Sequence, residues 1–99
     1  MGRIYKDQTK VRFRITCGID LSEVSVATIK YIKADETTGD WTATVEDVEN
    51  GIIYYDVVTG DLDVAGKWKM WAYLIFVDLK TAPGEPFEIY VFDEGQIYV

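Results

Sequence analysis

The chain contains no His, one Cys and two Pro among its 99 residues. His is the side chain whose ordinary pKa lies nearest neutral pH, so acid–base and nucleophilic catalysis lose their commonest participant. Cys17 has no second Cys with which to form a disulfide, and we expect it to be a small apolar filler near a strand end. No segment approaches the roughly 20 apolar residues of a membrane-spanning helix, and Met1–Asp7 lacks the apolar run of a signal peptide.

The composition that is present predicts a folded β domain. Of the 99 residues, 48% are hydrophobic and 14% are aromatic, enough for one modest core that needs no metal or disulfide. Many Val, Ile and Thr accompany the aromatic residues, and these side chains fit a pleated sheet better than a helix. We therefore expect one all-β domain over residues 1–99, with its core roughly within residues 5–93.

The clearest strand pattern is Trp68–Val77. It is polar on one face at its start and apolar on both faces afterwards, which is typical of a central strand covered on both sides. Shorter alternating runs occupy much of the remaining chain, and no segment of ten or more residues has helical spacing. These patterns predict a β-sandwich, two sheets packed face to face. The expected strands are residues 11–16, 24–33, 41–46, 53–57, 68–77, 87–91 and 96–99.

Turn residues separate these runs. Within Asp35–Asp40 we expect Gly39 to supply the positive φ of a hairpin turn. Glu49–Gly51 contains Asn-Gly, the strongest short-range hairpin signal. Residues 82–86 are predicted to form a loop. The apolar residues of the second strand change phase along its length, so we expect a β-bulge near Ala27.

Charge is unevenly distributed. Residues 1–33 carry seven Lys or Arg and three Asp or Glu, a net charge of +4. Residues 34–66 carry nine Asp or Glu and no Lys or Arg, a net charge of −9. Residues 67–99 carry three Lys or Arg and five Asp or Glu, a net charge of −2. An acidic chain repels phosphate backbones, so no nucleic-acid partner is expected. Two interpretations of the oppositely charged segments stay open. They are solvated surface, or they guide head-to-tail association between copies of the chain.

Calcium binding is one site hypothesis, and we give it less weight than turn chemistry. Asp56, Asp61 and Asp63, with Asp20, could supply the carboxylate oxygens that a hard cation prefers. Their spacing matches no calcium-loop pattern, however, and Asp in turns commonly bonds nearby backbone amides. We therefore predict no metal, no cofactor and no catalytic residue, and expect the chain not to be an enzyme.

A platform of aromatic side chains is a second site hypothesis, since aromatic rings stack on sugars and also form protein interfaces. The alternation places Trp41 toward the core and Tyr54 on an outward face, which makes Tyr54 the better candidate for an exposed contact. The candidate platform consists of Trp41, Trp71, Tyr54 and Tyr73.

Four segments carry a resemblance to a known family: Gly18–Ser22, Trp41–Val45, Gly60–Lys69 and Gly84–Phe87. They follow one another as in small phage and prophage proteins with a single immunoglobulin-like domain, and the layout is similar to the N-terminal domain of phage upper-baseplate proteins. The resemblance covers roughly residues 5–93.

This resemblance implies an immunoglobulin-like β-sandwich of about seven antiparallel strands. It also implies a tail or baseplate component that acts in virion assembly through protein–protein contacts, made in the bacterial cytoplasm and neither exported nor membrane-spanning. Its expected partners are other virion proteins and further copies of itself, with no nucleic acid and no membrane. The alternative is a carbohydrate-binding module that attaches the particle to its host. The expected interaction surface comprises Tyr54, Tyr90, Arg12, Arg14 and Lys10.

A corner motif accompanies the resemblance. Immunoglobulin-like domains place an aromatic residue after a turn so that it fixes the chain at the start of the next strand. Leu62, Ala65, Gly66 and Trp68 are expected to form such a corner, with Trp68 in place of the commoner Tyr. Because an indole nitrogen donates but does not accept, a buried Trp68 should bond to a carbonyl.

Overall fold

A computed structural model describes residues 3–95, which contain nine strands and no helix. The predicted strand at residues 96–99 lies outside this range. The strands are β1 Ile4–Tyr5, β2 Arg12–Thr16, β3 Val24–Ile32, β4 Thr38–Thr42, β5 Thr44–Asp47, β6 Ile52–Asp56, β7 Gly66–Phe76, β8 Thr81–Pro83 and β9 Phe87–Phe92.

The strands form two sheets. In the main sheet the order is β1-β9-β7-β3-β4, with β8 beside the end of β7, and in the small sheet it is β2-β6-β5. Neighbouring strands are antiparallel except β1 and β9, which are parallel. The predicted all-β, immunoglobulin-like sandwich is confirmed. The strand count exceeds the expected seven because β1 and β8 are too short to show alternation, and because one expected strand is divided into β4 and β5.

The core lies between the sheets and follows the period-two alternation of the strands. Along β7, Trp68 and Met70 are fully buried, and Ala72 and Leu74 are nearly so. Burying a large apolar side chain stabilises a fold by about 1.5–3 kcal/mol relative to leaving it exposed. The other buried core residues are Phe13, Leu21, Ala27, Ile29, Trp41, Ile53, Val57, Leu62 and Val91.

The opposite face of β7 is less covered than its sequence predicts. Trp71, Tyr73 and Ile75 are half-buried, and no described strand packs over them as a further layer. Lys30 on β3 lies over Tyr73, with its Nζ 3.7 Å from the ring centroid. An aromatic outward face partly shielded by neighbouring side chains has the same sequence pattern as a face covered by another layer.

The predicted bulge in β3 is present, slightly earlier than expected. The register with β7 shifts between Val24 and Val26, and Ala27 and Ile29 then point into the core. One extra residue in a strand reverses the phase of the side chains that follow it. This is why apolar residues on two phases belong to one strand.

The turn between β3 and β4 differs from its prediction. The residue with positive φ is Glu36, at 69°, and Gly39 lies inside β4 opposite Tyr31. Two hydrogen bonds close the turn: Lys33 N donates to Thr37 O at 2.8 Å, and Glu36 N donates to Lys33 O at 2.9 Å. Gly39 serves packing instead, because a Cβ there would overlap the phenol ring of Tyr31.

Between β4 and β5 the chain passes from the main sheet to the small sheet at a single residue. Ala43 separates β4 of the main sheet from β5 of the small sheet, and its N donates to Ala27 O at 2.9 Å. The two edge strands on this side are therefore nearly continuous. This crossing closes one side of the sandwich, and the other side is bounded by β2, β1 and β9.

Replacing Gly51 should destabilise the protein more than replacing Gly60. Both have positive φ, 70° and 91°, and forcing a residue with a Cβ into the left-handed region costs about 1–2 kcal/mol. At Gly51 the added Cβ would also meet the backbone oxygen of Ile19, whereas nothing lies close at Gly60. In denaturant unfolding, the free energy of unfolding should fall by about that amount in Gly60→Ala and by clearly more in Gly51→Ala. Equal losses would contradict the steric argument.

Candidate functional site

A cleft of about 440 Å³ opens between the sheets on the side bounded by β2 and β9. Strand β1 pairs only with Val91 and Phe92 of β9, so the first half of β9 has no described partner on that side. β2 likewise ends the small sheet. The cleft therefore lies between two strand edges of the described fold.

The floor of the cleft is apolar and its rim is cationic. Phe13 is buried, and the other apolar lining residues, Ile4, Val11, Phe87 and Ile89, are half-buried. None of the described lining residues is Asp or Glu. The polar lining residues are Arg3, Gln8, Lys10, Arg12 and Arg14.

The backbone of β2 offers unused hydrogen-bonding groups toward the cleft. Val57 N donates to Val11 O at 2.9 Å, and Cys17 N donates to Gly51 O at 2.6 Å, so the odd-numbered residues of this segment bond to β6 and its flanking residues. In an antiparallel pair the intervening residues direct their N–H and C=O groups the other way. The main-chain groups of Arg12 and Arg14 therefore point away from β6, where no described strand pairs with them.

On the outer face of the small sheet, two Arg residues are paired with acids. Arg12 binds Asp56 through two hydrogen bonds, of 2.6 and 3.0 Å, and Arg14 binds Glu46 through two. The hydrogen bonds from Arg12 hold the pKa of Asp56 below its usual range. Arg12 also lies over Tyr54, 4.1 Å from the ring centroid. Basic and acidic segments thus attract each other within one chain.

The predicted interaction residues do not share one surface. Tyr54 lies on the outer face of the small sheet, because its neighbours Ile53 and Tyr55 point inward. Tyr90 lies on the outer face of the main sheet, is 39% exposed, and packs on Phe92 with ring centroids 4.7 Å apart. These faces are on opposite sides of the sandwich. The structure gathers Lys10, Arg12 and Arg14 along β2 but places the two Tyr residues apart.

The predicted aromatic platform is not formed. Trp41 is only 5% exposed and stacks on Tyr55, with ring centroids 4.7 Å apart. Trp71 and Tyr73 lie on the main sheet, whereas Tyr54 lies on the small sheet. Alternation shows that a side chain points outward but not which sheet carries it.

The corner after β6 is built as a buried turn. Leu62 and Trp68 are fully buried, and Trp68 Nε1 donates to Val64 O at 2.9 Å, a carbonyl acceptor as the indole requires. Asp61 organises the turn, accepting from Tyr55 OH at 2.6 Å and from Val58 N at 2.8 Å. A Tyr does contribute to this corner, but it comes from β6. Ala65 and Gly66 are half-buried beside it.

The carboxylates of the calcium hypothesis are engaged separately. Asp56 binds Arg12, Asp63 binds Lys33 at 2.7 Å, and Asp20 accepts from Ser22 N at 2.7 Å. Within residues 3–95 no group of three or more His, Cys, Asp or Glu side chains is arranged to hold a metal ion. Cys17 is a half-buried free thiol whose pKa is raised by burial.

The sequence indicates part of the cleft lining and not the rest. Lys10, Arg12 and Arg14 are among the predicted interaction residues, whereas Phe87 and Ile89 lie in a predicted strand and carry no sign of a cleft. Arg3 likewise stands in no recognisable pattern. The available signal was the short β1, but two residues are too few to show an alternating pattern.

Comparison with known proteins reveals one informative likeness. No family model and no curated protein matches the chain. The structure is similar to the crystal structure of CopC from Methylosinus trichosporium OB3b, with a TM-score of 0.57 and 13% identity, covering 97% of this chain and 87% of that chain. A likeness at this identity supports the β-sandwich fold.

The predicted phage function is corrected by this comparison. The matching solved structure is a CopC and not a phage protein, so the expected role in tail or baseplate assembly is wrong. The alternative of a carbohydrate-binding module on a phage particle, and the virion location, depended on the same resemblance. That resemblance rested on short strand, turn and corner segments, which sandwiches of different function share. Among the described residues, no helix has the length and apolar character to cross a membrane.

Tyr55 should be among the last tyrosines to ionise. Burial, followed by its hydrogen bond to Asp61, raises the pKa of Tyr55 from 10.0 to about 12. Since the folded pKa lies above the unfolded one, the stabilisation is complete below pH 10 and is lost as pH rises through about 12. In a titration followed by tyrosinate absorbance, Tyr55→Phe should lose the ionisation step that occurs at the highest pH. Between pH 10 and about 12 the free energy of unfolding of this variant should fall less than that of the wild type. Tyr54→Phe is the matched control, and an unchanged highest step in Tyr55→Phe would refute the assignment.

Proposed function

We propose that this chain is a non-catalytic binding domain, and that the cleft between β2 and β9 takes a ligand with an apolar part and an anionic group. The observation that carries this proposal is the lining: an apolar floor surrounded by Arg and Lys, with no Asp or Glu among the described lining residues. The chain as a whole has a net charge of −7. The cleft therefore has the opposite charge from the chain as a whole, as a site for an anionic group requires.

The size and shape of the cleft suit a small or slender ligand. Its volume of about 440 Å³ lies within the range of roughly 300–1,000 Å³ common for ligand sites. Half-buried apolar side chains such as Phe87 and Ile89 retain surface that a ligand would remove from water. Such burial is favourable by about 25 cal/mol per Å² of apolar surface. The floor supplies affinity, and the rim selects for charge.

Lys10 is the rim residue best suited to meet the anionic group. It is exposed and makes no ion pair within residues 3–95. Arg12 and Arg14 are held by Asp56 and Glu46, each through Nε and Nη2. A guanidinium has five N–H donors, so each Arg keeps further donors while its carboxylate fixes its position.

The same lining favours binding over catalysis. The titratable groups that face the cleft are Arg and Lys side chains, which carry a proton at neutral pH and accept none. Among the described lining residues there is no Ser, Cys, Asp or Glu to act as a nucleophile or general base. A cleft of this composition can attract and orient an anion.

The anionic fluorophore anilinonaphthalene sulfonate tests this proposal, because it combines aromatic rings with a sulfonate. The folded protein should bind it with enhanced fluorescence. Lys10→Glu should weaken binding about tenfold, the expected effect of losing one charge-assisted hydrogen bond. Lys80→Glu is the matched control, since Lys80 is exposed between β7 and β8, outside the cleft lining.

A neutral analogue separates charge recognition from general apolar binding. Phenylnaphthylamine lacks the sulfonate, so its affinity should be similar in the wild type and in Lys10→Glu. Thermal unfolding of each variant shows whether the fold is intact. If the folded wild type binds no fluorophore, or if Lys10→Glu and Lys80→Glu weaken sulfonate binding equally, the proposed function is wrong.

A further inference from the structure

We infer that the ligand of the cleft is an extended peptide with alternating apolar and acidic side chains, which adds to β2 as a fourth strand of the small sheet. The inference rests on the proposed function of the cleft and identifies the class of ligand. It combines the edge of β2 that pairs with no strand of residues 3–95, the apolar floor and the cationic rim.

The backbone of β2 supplies the first argument. Arg12 and Arg14 direct their main-chain N–H and C=O groups away from β6, as the bonds at Val11 and Cys17 establish. An edge with unpaired main-chain groups is a template for a further strand. An added strand would lie about 4.8 Å from β2, on the cleft side. Of the possible ligands with an apolar and an anionic part, a peptide backbone is the one that satisfies these groups in series.

The side chains of β2 define the sequence that such a strand needs. Residues of the added strand opposite Phe13 and Ile15 would point inward, toward the cleft floor formed with Phe87. Residues opposite Arg12 and Arg14 would point to the outer face. Opposite charges in directly paired positions stabilise a sheet, and like charges destabilise it. The fitting peptide therefore alternates apolar residues with Asp or Glu.

The same pairing rule disfavours a second copy of β2 as the occupant. Two β2 strands paired antiparallel about Phe13 would place Arg12 of each opposite Arg14 of the other. Each Arg is already paired with an acid of its own chain, Asp56 or Glu46, and offers no acceptor to a second Arg, whereas its remaining N–H donors can meet a carboxylate. The edge thus disfavours symmetric pairing of the chain with itself and accepts an acidic strand.

Hydrogen exchange tests the strand addition directly. The probe is a seven-residue peptide in which Val alternates with Glu, with both ends blocked. When it binds, exchange at the amides of Arg12 and Arg14 should slow at least about tenfold, because these amides gain hydrogen bonds. The amides of Phe13 and Ile15 already bond to β6 and should change little. A control peptide in which Lys replaces Glu should not bind, and affinity for the Glu peptide should fall as salt increases.

N-methylation of the peptide distinguishes a strand from a bound anion. Two versions of the peptide are made. One is methylated at the backbone nitrogens of its odd-numbered residues, and the other at those of its even-numbered residues. Only one phase of N–H groups in an added strand faces β2, so one version should lose binding and the other should retain it. Equal affinity of both versions, or unchanged exchange at Arg12 and Arg14 with the peptide bound, would overturn the inference.

The possible failures are distinguishable. If anilinonaphthalene sulfonate binds in the cleft and the Glu peptide does not, the proposed function stands and the peptide inference fails. If neither binds, both fail. If sedimentation shows self-association at low salt, and this association alone protects the Arg12 and Arg14 amides, a second copy is the occupant and the inference is wrong.

Discussion

The packing of Trp41 between the two sheets is the contact on which the rest of the structure depends. Its ring, carried by the main sheet, stacks on Tyr55 and Phe13 of the small sheet, with centroids 4.7 and 5.7 Å apart. It also contacts Tyr31 and Trp68 of its own sheet, at 4.7 and 6.2 Å. Aromatic pairs at such distances add to the energy of burial. Because Phe13 also forms part of the cleft floor, one wall of the cleft is fixed by the rigid core.

Electrostatics explains why the acidic protein has a cationic cleft. The basic residues Arg12, Arg14 and Lys33 are paired with acids that lie 44, 32 and 30 positions away in the sequence. Exposed pairs of this kind contribute little stability individually. In the Arg12 and Arg14 pairs near β2 the two opposite charges offset each other. The local charge at the cleft is therefore set by Lys10, which makes no ion pair within residues 3–95, and not by the net charge of the chain.

Sequence patterns predicted the strands well, because alternation is a local property. The inward positions of Ala27, Ile29, Trp41 and Ile53 follow from the period of two and are buried in the structure. Which sheet a strand joins is not local. The expected strand around Ala43 is shared between two sheets, since a change of sheet at one residue leaves the alternation intact.

The candidate site was predictable only in its charges. The sequence shows that Lys10, Arg12 and Arg14 are near one another, but not that Asp56 and Glu46 neutralise two of them. It shows that Tyr54 and Tyr90 point outward, but not that they lie on opposite faces. Both properties depend on long-range pairing, in which a residue's partner is set by the fold. This is also why the phage resemblance, which was based on local strand, turn and corner segments, failed to indicate function.

The cleft arises from the way the chain crosses between sheets at its start. At the other edge a single residue makes the crossing, so β4 and β5 remain in line. After β1 the crossing is longer: Lys6 N donates to Phe92 O and Asp7 N to Leu62 O, both at 2.8 Å, and Asp7 adopts a φ of 66°. The chain then leaves the main sheet before β2 begins.

Among residues 3–95, this longer crossing leaves β2 and the first half of β9 without a partner strand on the cleft side, and the same stretch delivers Lys10 to the rim. Unpaired edges invite aggregation, and natural sheets commonly protect them with charged residues. Here Lys10 is balanced by no acid among residues 3–95, whereas Arg12 and Arg14 are paired with Asp56 and Glu46 and keep further N–H donors. Such an edge disfavours a second copy of itself and accepts acidic side chains. Protection against self-pairing and selectivity for a ligand thus follow from the same three side chains.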